Sequence, residues 1–221
     1  MNTDFCRAVV VFALLCIFAT PLKADFFDVT ASADVRVLSF FPDSNEGNGG
    51  LLSLFNNPGN IQRTYLYFDL SSLVGLTVLG DATLNLRATG DANNLVTNGA
   101  LYRAFGSWDE SSITWNNQPG PLGAPLDSIS GTYTQSVTWD VPQATIQGWL
   151  NTPVTNVGFV LLSDPGSTLT FHSTENVVFA SPPRLIFNSI PEPTAALVLG
   201  GAFIAFFGRR SRRPIFADIR Y

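Results

Sequence analysis

Between residues 25 and 189 the chain breaks into short stretches in which apolar and polar side chains alternate, and clusters of Gly, Pro, Asn and Asp separate them. A repeat of two puts one set of side chains on each face of a strand and is incompatible with an amphipathic helix. The alternation predicts strands at 35–40, 51–55, 64–70, 82–88, 100–105, 113–115, 136–141, 157–163, 168–173 and 184–188, with turns at 45–50, 56–60, 90–91, 118–121 and 164–166. Many short strands at this spacing predict an all-β fold, a two-sheet antiparallel sandwich of the jelly-roll type. One helix is expected, over 142–150, where Ile146, Trp149 and Leu150 fall at helical spacing. Pro142 suits a first turn, Asp140 is a candidate cap, and Gly148 keeps the helix short.

The two ends follow different rules. Residues 1–24 read as a cleavable signal peptide: Arg7 gives a positive flank, 8–19 is apolar, Pro21 ends the run and Ala24 offers a small residue for cleavage. At the other end, Pro191, Glu192 and Pro193 precede an apolar stretch over 195–208 and the arginines Arg209, Arg210, Arg212 and Arg213. The prolines forbid a helix before Thr194. The apolar stretch, about 14 residues and roughly 21 Å as a helix, is shorter than a bilayer core, and arginines behind it would hold that end in the cytoplasm. This order of features over 190–213 closely resembles the PEP-CTERM sorting signal, followed here by a tail at 214–221. The resemblance implies an exosortase-type transpeptidase as partner, residence in the membrane before processing, and release to the cell surface or an extracellular polysaccharide matrix.

Both cysteines, Cys6 and Cys16, lie in the signal segment, so the 25–189 body has no thiolate metal site and no disulfide. From Asp25 to Pro193 there are 15 Asp and Glu against 5 Arg and no Lys, a net charge of −10. An acidic body repels phosphate backbones, so nucleic acid is not an expected partner.

Four features carry candidate chemistry. On strand 64–70, Leu66, Phe68 and Leu70 should face the core, while Arg63, Tyr65, Tyr67 and Asp69 share the other face. If that face is open, the two tyrosines stand about 7 Å apart and form a platform for a sugar ring, with Arg63 and Asp69 at its ends and Arg87 and Arg103 joining if they share the face. If a strand or loop covers it, the tyrosines are structural. The run 108–119 can stack Trp108 and Trp115 on a sugar, or plug the sandwich core with them while Asn116 and Asn117 satisfy turn backbone. Closing such a core takes large rings, so the plug is the expectation. The oxygen-rich 43–48 loop lacks EF-hand spacing and reads as a solvated turn. A structural calcium ion is the one cofactor entertained, with Asp34, Asp69 and Glu175 as ligands; no other cofactor is expected. Nor is a catalytic set: His172 is the only histidine, there is no Gly-x-Ser-x-Gly elbow, and the neighbours Asp109 and Glu110 should point apart.

Several of these segments together resemble one family. They are Ala33-Asp34-Val35-Arg36-Val37, Asn45-Glu46-Gly47, the strand from Arg63 to Ser71, Ala82 to Leu86, the run from Trp108 to Pro119, Asp140-Val141 to Trp149-Leu150, Gly158-Phe159, and Ser173-Thr174-Glu175 before Pro183-Arg184-Leu185. In this order they resemble the DNRLRE-type domain, which is related to carbohydrate-binding modules found beside alginate lyases. The resemblance implies a β jelly roll and, in some members, binding of acidic polysaccharide. The expected function is a non-enzymatic exported protein that binds or organises extracellular polysaccharide. A structural envelope protein without glycan affinity and a polysaccharide-degrading enzyme are the alternatives.

Overall fold

Alternation sorts the side chains as the sequence predicts. In Ser136–Val141 the buried residues are Val137, Trp139 and Val141, and the exposed ones are Ser136, Thr138 and Asp140. The computed structural model describes residues 23–90 and 97–191, and the segments read as signal peptide and sorting tail lie outside it apart from 23–24 and 190–191.

In chain order the strands are β1 (Asp25–Thr30), β2 (Ala33–Leu38), β3 (Leu51–Asn57), β4 (Asn60–Tyr67), β5 (Leu76–Arg87), β6 (Thr97–Ala104), β7 (Pro121–Gly131) and β8 (Ser136–Val141). Helix α1 (Gln143–Asn151) follows, then β9 (Phe159–Ser163), β10 (Thr168–His172) and β11 (Arg184–Pro191). Among the described residues they form a four-stranded sheet in the order β1-β11-β5-β8 and a seven-stranded sheet in the order β10-β3-β4-β9-β6-β7, with β2 paired to β4. The paired strands run antiparallel. The two sheets face each other as a sandwich.

Between them lies the main core. It draws Leu84, Leu86, Trp139 and Phe187 from the smaller sheet and Leu52, Leu66, Leu101, Phe159 and Phe171 from the larger. Rings meet edge to face within it: Trp139 lies 6.0 Å from Phe171 of the opposite sheet and Phe68 lies 6.1 Å from Phe159, a favoured geometry for ring quadrupoles. Helix α1 closes one part of this core with Ile146, Trp149 and Leu150. Asp140 does not cap it; the first helical N–H, from Gln143, donates to Asp81 Oδ1 at 2.9 Å. Gln147 ties the helix to β5 by accepting from the Val78 N–H (2.8 Å) and donating to the Leu76 carbonyl (3.2 Å).

Two strands lie where alternation does not predict them. β1 carries the adjacent pair Phe26 and Phe27, and β7 contains Pro121 and Pro125. Both are edge strands, where a missing N–H or an irregular pattern costs no ladder bond. The predicted strand at 113–115 does not form. That segment lies in a loop held by side-chain bonds rather than a ladder. β11 continues through Ile190 to Pro191, two residues into the segment read as the sorting signal.

Two glycines separate backbone need from tolerance. Gly158 has φ +77°, and a Cβ there would lie 2.3 Å from the Leu66 carbonyl oxygen. Gly148 sits in α1 with open space around it. Gly158→Ala should therefore destabilise by about 2 kcal/mol or more. Gly148→Ala should stabilise by about 0.5–1 kcal/mol. Midpoints of urea unfolding check both.

Candidate functional site

The larger sheet is covered on both faces. Its inner face meets the smaller sheet, and its outer face carries a second apolar cluster of Val35, Val37, Tyr65, Ala104, Ile113 and Val160, with Trp108 and Trp115 packed on top. The cover is the loop between β6 and β7. Trp108 and Trp115 thus do not plug the sandwich as expected; they seal its back. The alternation of β4 explains this, because Leu66 and Tyr65 point to opposite faces and both are fully buried.

Short-range hydrogen bonds shape the cover. Asp109 accepts from the Ser111 N–H (2.8 Å), and Asn117 accepts from Thr114 (2.7 Å) and donates to the Ser112 carbonyl (3.0 Å). Bonds from the Ser111 hydroxyl and N–H hold the Asp109 carboxyl below its ordinary range. Asn116 donates to Asp43 (2.7 Å). The 43–48 loop is not a solvated turn but a clamp on the cover. Asn45 donates to the carbonyls of Glu110 and Ile113, both at 2.7 Å, and Gly47 is buried so closely that a Cβ would meet the Glu110 carbonyl at 2.4 Å.

This cover decides the fate of the tyrosine platform. Tyr65 is fully buried, its ring edge-on to Trp108 at 5.6 Å, and its hydroxyl donates to the Gln118 side chain (2.9 Å) and the Pro119 carbonyl. Burial pushes the phenol up to about 12. Arg63 lies over the Trp115 ring at 4.8 Å and donates to Gln118 (3.3 Å). Tyr67 is half-buried, and Asp69 is exposed, its carboxyl lowered by bonds from Ser71. An open row of Tyr65 and Tyr67 is therefore not formed, because the covering loop occupies the Tyr65 position. Neither arginine joins this face: β5 with Arg87 belongs to the other sheet, and Arg103 pairs with Phe159 of the main core while its neighbours Tyr102 and Ala104 lie on the Tyr65 side.

Besides a smaller hollow of ≈ 370 Å³ in the cover, lined by Trp108, Asp109 and Asn117 among others, an open concavity lies elsewhere. At one end of the four-stranded sheet a groove of ≈ 440 Å³ is lined by Asn85 and Arg87 of β5, Thr134 and Ser136 at the start of β8, Arg184 of β11, His172 of β10, and residues 179–182 of the loop that follows β10. Asn85 and Arg87 alternate with the core residues Leu84 and Leu86, so they face outward. Phe179 is 59% exposed and lies 5.1 Å from the buried His172 ring, which Asn176 approaches at 3.0 Å. Arg184 bridges to Asp28 at 2.5 Å. The groove therefore offers one exposed ring, two guanidiniums, an amide and several hydroxyls, a set that can stack on a sugar face and bind hydroxyl or carboxylate groups. Of these residues only Arg87 had a sequence signal for ligand contact; Phe179 and Arg184 lie far from it in sequence and are brought to it by strand pairing.

Residues 25–189 match carbohydrate-binding module family 96. A gellan lyase from a Bacillus species is 25% identical over 185 residues, which are 80% of this chain and 7% of that protein. The chain thus spans a small fraction of the curated relative it matches. Among solved structures, the K1 cleaved adhesin domain of Lys-gingipain from Porphyromonas gingivalis W83 aligns at 13% identity over 78% of this chain and 99% of that one. Its TM-score of 0.25 is too low to bear on fold or site.

Tyr65→Phe tests the structural role of the buried tyrosine. It should lower stability by about 1 kcal/mol through the lost hydroxyl bonds and leave polysaccharide affinity unchanged, as chemical denaturation and affinity electrophoresis would show.

Proposed function

The chain belongs to carbohydrate-binding module family 96, and on that footing we propose that it binds extracellular polysaccharide through the groove at the end of the four-stranded sheet. The observation that carries this reading is the convergence of exposed Phe179 with Arg87, Arg184 and Asn85 in one open groove. Phe179 would stack on a pyranose face, Asn85 and Ser136 would take hydroxyls, and the two guanidiniums would select carboxylate-bearing sugars. The role is binding without chemistry. The kinship to a gellan lyase supports a polysaccharide ligand and does not extend to the reaction, since the overlap is confined to 7% of that enzyme.

The same proposal includes delivery. The signal peptide 1–24 would export the chain, and Pro191, Glu192 and Pro193 with Arg209, Arg210, Arg212 and Arg213 would present it to an exosortase-type transpeptidase for placement at the cell surface or in the matrix. The sandwich would then tether or organise polymer there.

A second reading uses the shelf where Arg63 lies over Trp115; the half-exposed cation over the ring is the observation in its favour. Affinity electrophoresis of the full chain in gels containing gellan, alginate or dextran separates the two. Retardation by an acidic polymer is expected, with affinity reduced about tenfold in Phe179→Ala and Arg87→Ala and unchanged in Arg63→Gln. Loss in Arg63→Gln with normal groove variants would move the site to the shelf, and no retardation by any of the three polymers would remove the groove reading.

A further inference from the structure

Away from the groove, three acidic side chains from distant parts of the chain converge. Asp34 comes from β2, Glu110 from the covering loop, and Glu175 from the loop after β10. One carboxylate oxygen of each lies within 4.8 Å of the others. The sequence reading paired Asp34 and Glu175 with Asp69; the structure puts Glu110 in that place and leaves Asp69 exposed at the end of β4.

Each carboxylate spends one oxygen on a local donor. Asp34 Oδ2 accepts from the Thr174 N–H (2.9 Å), Glu110 Oε1 from the Asp34 N–H (2.8 Å), and Glu175 Oε1 from the Thr174 hydroxyl (2.7 Å). Asp34 is only 1% exposed, yet its Oδ1 has no donor, and neither has the buried Glu175 Oε2. Among the described residues none of the three forms an ion pair; Arg36, the nearest arginine in sequence to Asp34, is engaged by Glu46. Burial, reinforced by Glu175 and Glu110, pushes Asp34 up to about 7. Buried oxygens without donors are rare in native proteins and call for a partner.

We propose that Asp34, Glu110 and Glu175 hold one structural divalent cation of calcium's size. Three carboxylate oxygens within 4.8 Å of one another are close enough to converge on one hard cation, and calcium, with ligands at about 2.4 Å in a flexible shell, tolerates their irregular placement, whereas magnesium needs about 2.1 Å and near-ideal octahedral geometry. A set made only of carboxylates offers no soft or imidazole ligand to favour zinc or copper. The cation would join β2, the cover and the loop after β10. That last loop also carries Phe179 to the groove, so the ion would fix one groove wall. The cation site rests on the acid cluster alone and stands or falls apart from the sugar reading.

The test uses the full chain stripped with EDTA and titrated with calcium chloride, with no glycan present. One ion per chain is expected by calorimetry, with Tm rising by about 5 °C or more at a hundredfold excess over Kd. Glu110→Gln and Glu175→Gln should each abolish the response, and Glu46→Gln should keep it. On the wild-type chain, calcium should protect Glu110 and Glu175 from carbodiimide coupling, read by mass spectrometry, which locates the ion without relying on a variant's folding. No heat and an unchanged Tm would overturn the proposal, as would binding that leaves those carboxyls unprotected or that survives both glutamine variants.

Discussion

Strand β4 is buried on both faces, and the rest of the architecture is arranged to make that so. Leu66 points into the sandwich and Tyr65 into the second apolar cluster, and neither is accessible to water. A sheet packed on one face needs only a partner sheet. A sheet apolar on both faces needs a second cover, and here an irregular loop supplies it with Trp108, Ile113 and Trp115. The cover has no ladder, so its backbone polar groups are met by Asn and Asp side chains from within the loop and by Asn45 from the clamp. Loss of that cover would expose the outer cluster and a buried phenol together.

The same constraint divides the surface by task. The outer face of the larger sheet, where a row of aromatics reads as a sugar platform, is used for packing. The outer face of the smaller sheet is left open, and its end is bounded by the loop after β10 to form the groove. An isolated bridge between Ala88 and Phe171, with the Thr89 N–H bonded to the Thr170 carbonyl, joins the two sheets beside it. The groove is thus built on strands on one side and on a single loop on the other. Rigid strands set the spacing of Asn85, Arg87 and Ser136, and the loop decides where Phe179 stands.

Membership in a carbohydrate-binding family fits this division. A binding module needs a stiff scaffold and a shallow polar surface with an exposed ring, and it needs no set of groups poised to move protons. His172 is buried and in contact with Asn176 and Phe179, which suits support of the groove wall. The acid cluster lies where three chain segments meet, and its geometry is that of a fastening point between them.

Periodicity and turn chemistry were enough for the sequence to determine the all-β class, most strand positions, the short helix and the inward face of β4, because these depend on neighbours two or four residues apart. The motif order was enough to point to a carbohydrate-binding β domain. Alternation also marked Tyr65, Tyr67 and Arg63 as one face, which holds; it carried no information on what lies over that face. Edge strands β1 and β7 escaped it because an edge tolerates proline and irregular pattern. Only the tertiary structure decided that a loop covers Tyr65, that Phe179 and Arg184 join Arg87, and that Glu110 rather than Asp69 meets Asp34 and Glu175. The reason is common to all three: each depends on segments tens of residues apart being brought together by strand pairing and loop packing, and no local repeat in a single sequence records that distance.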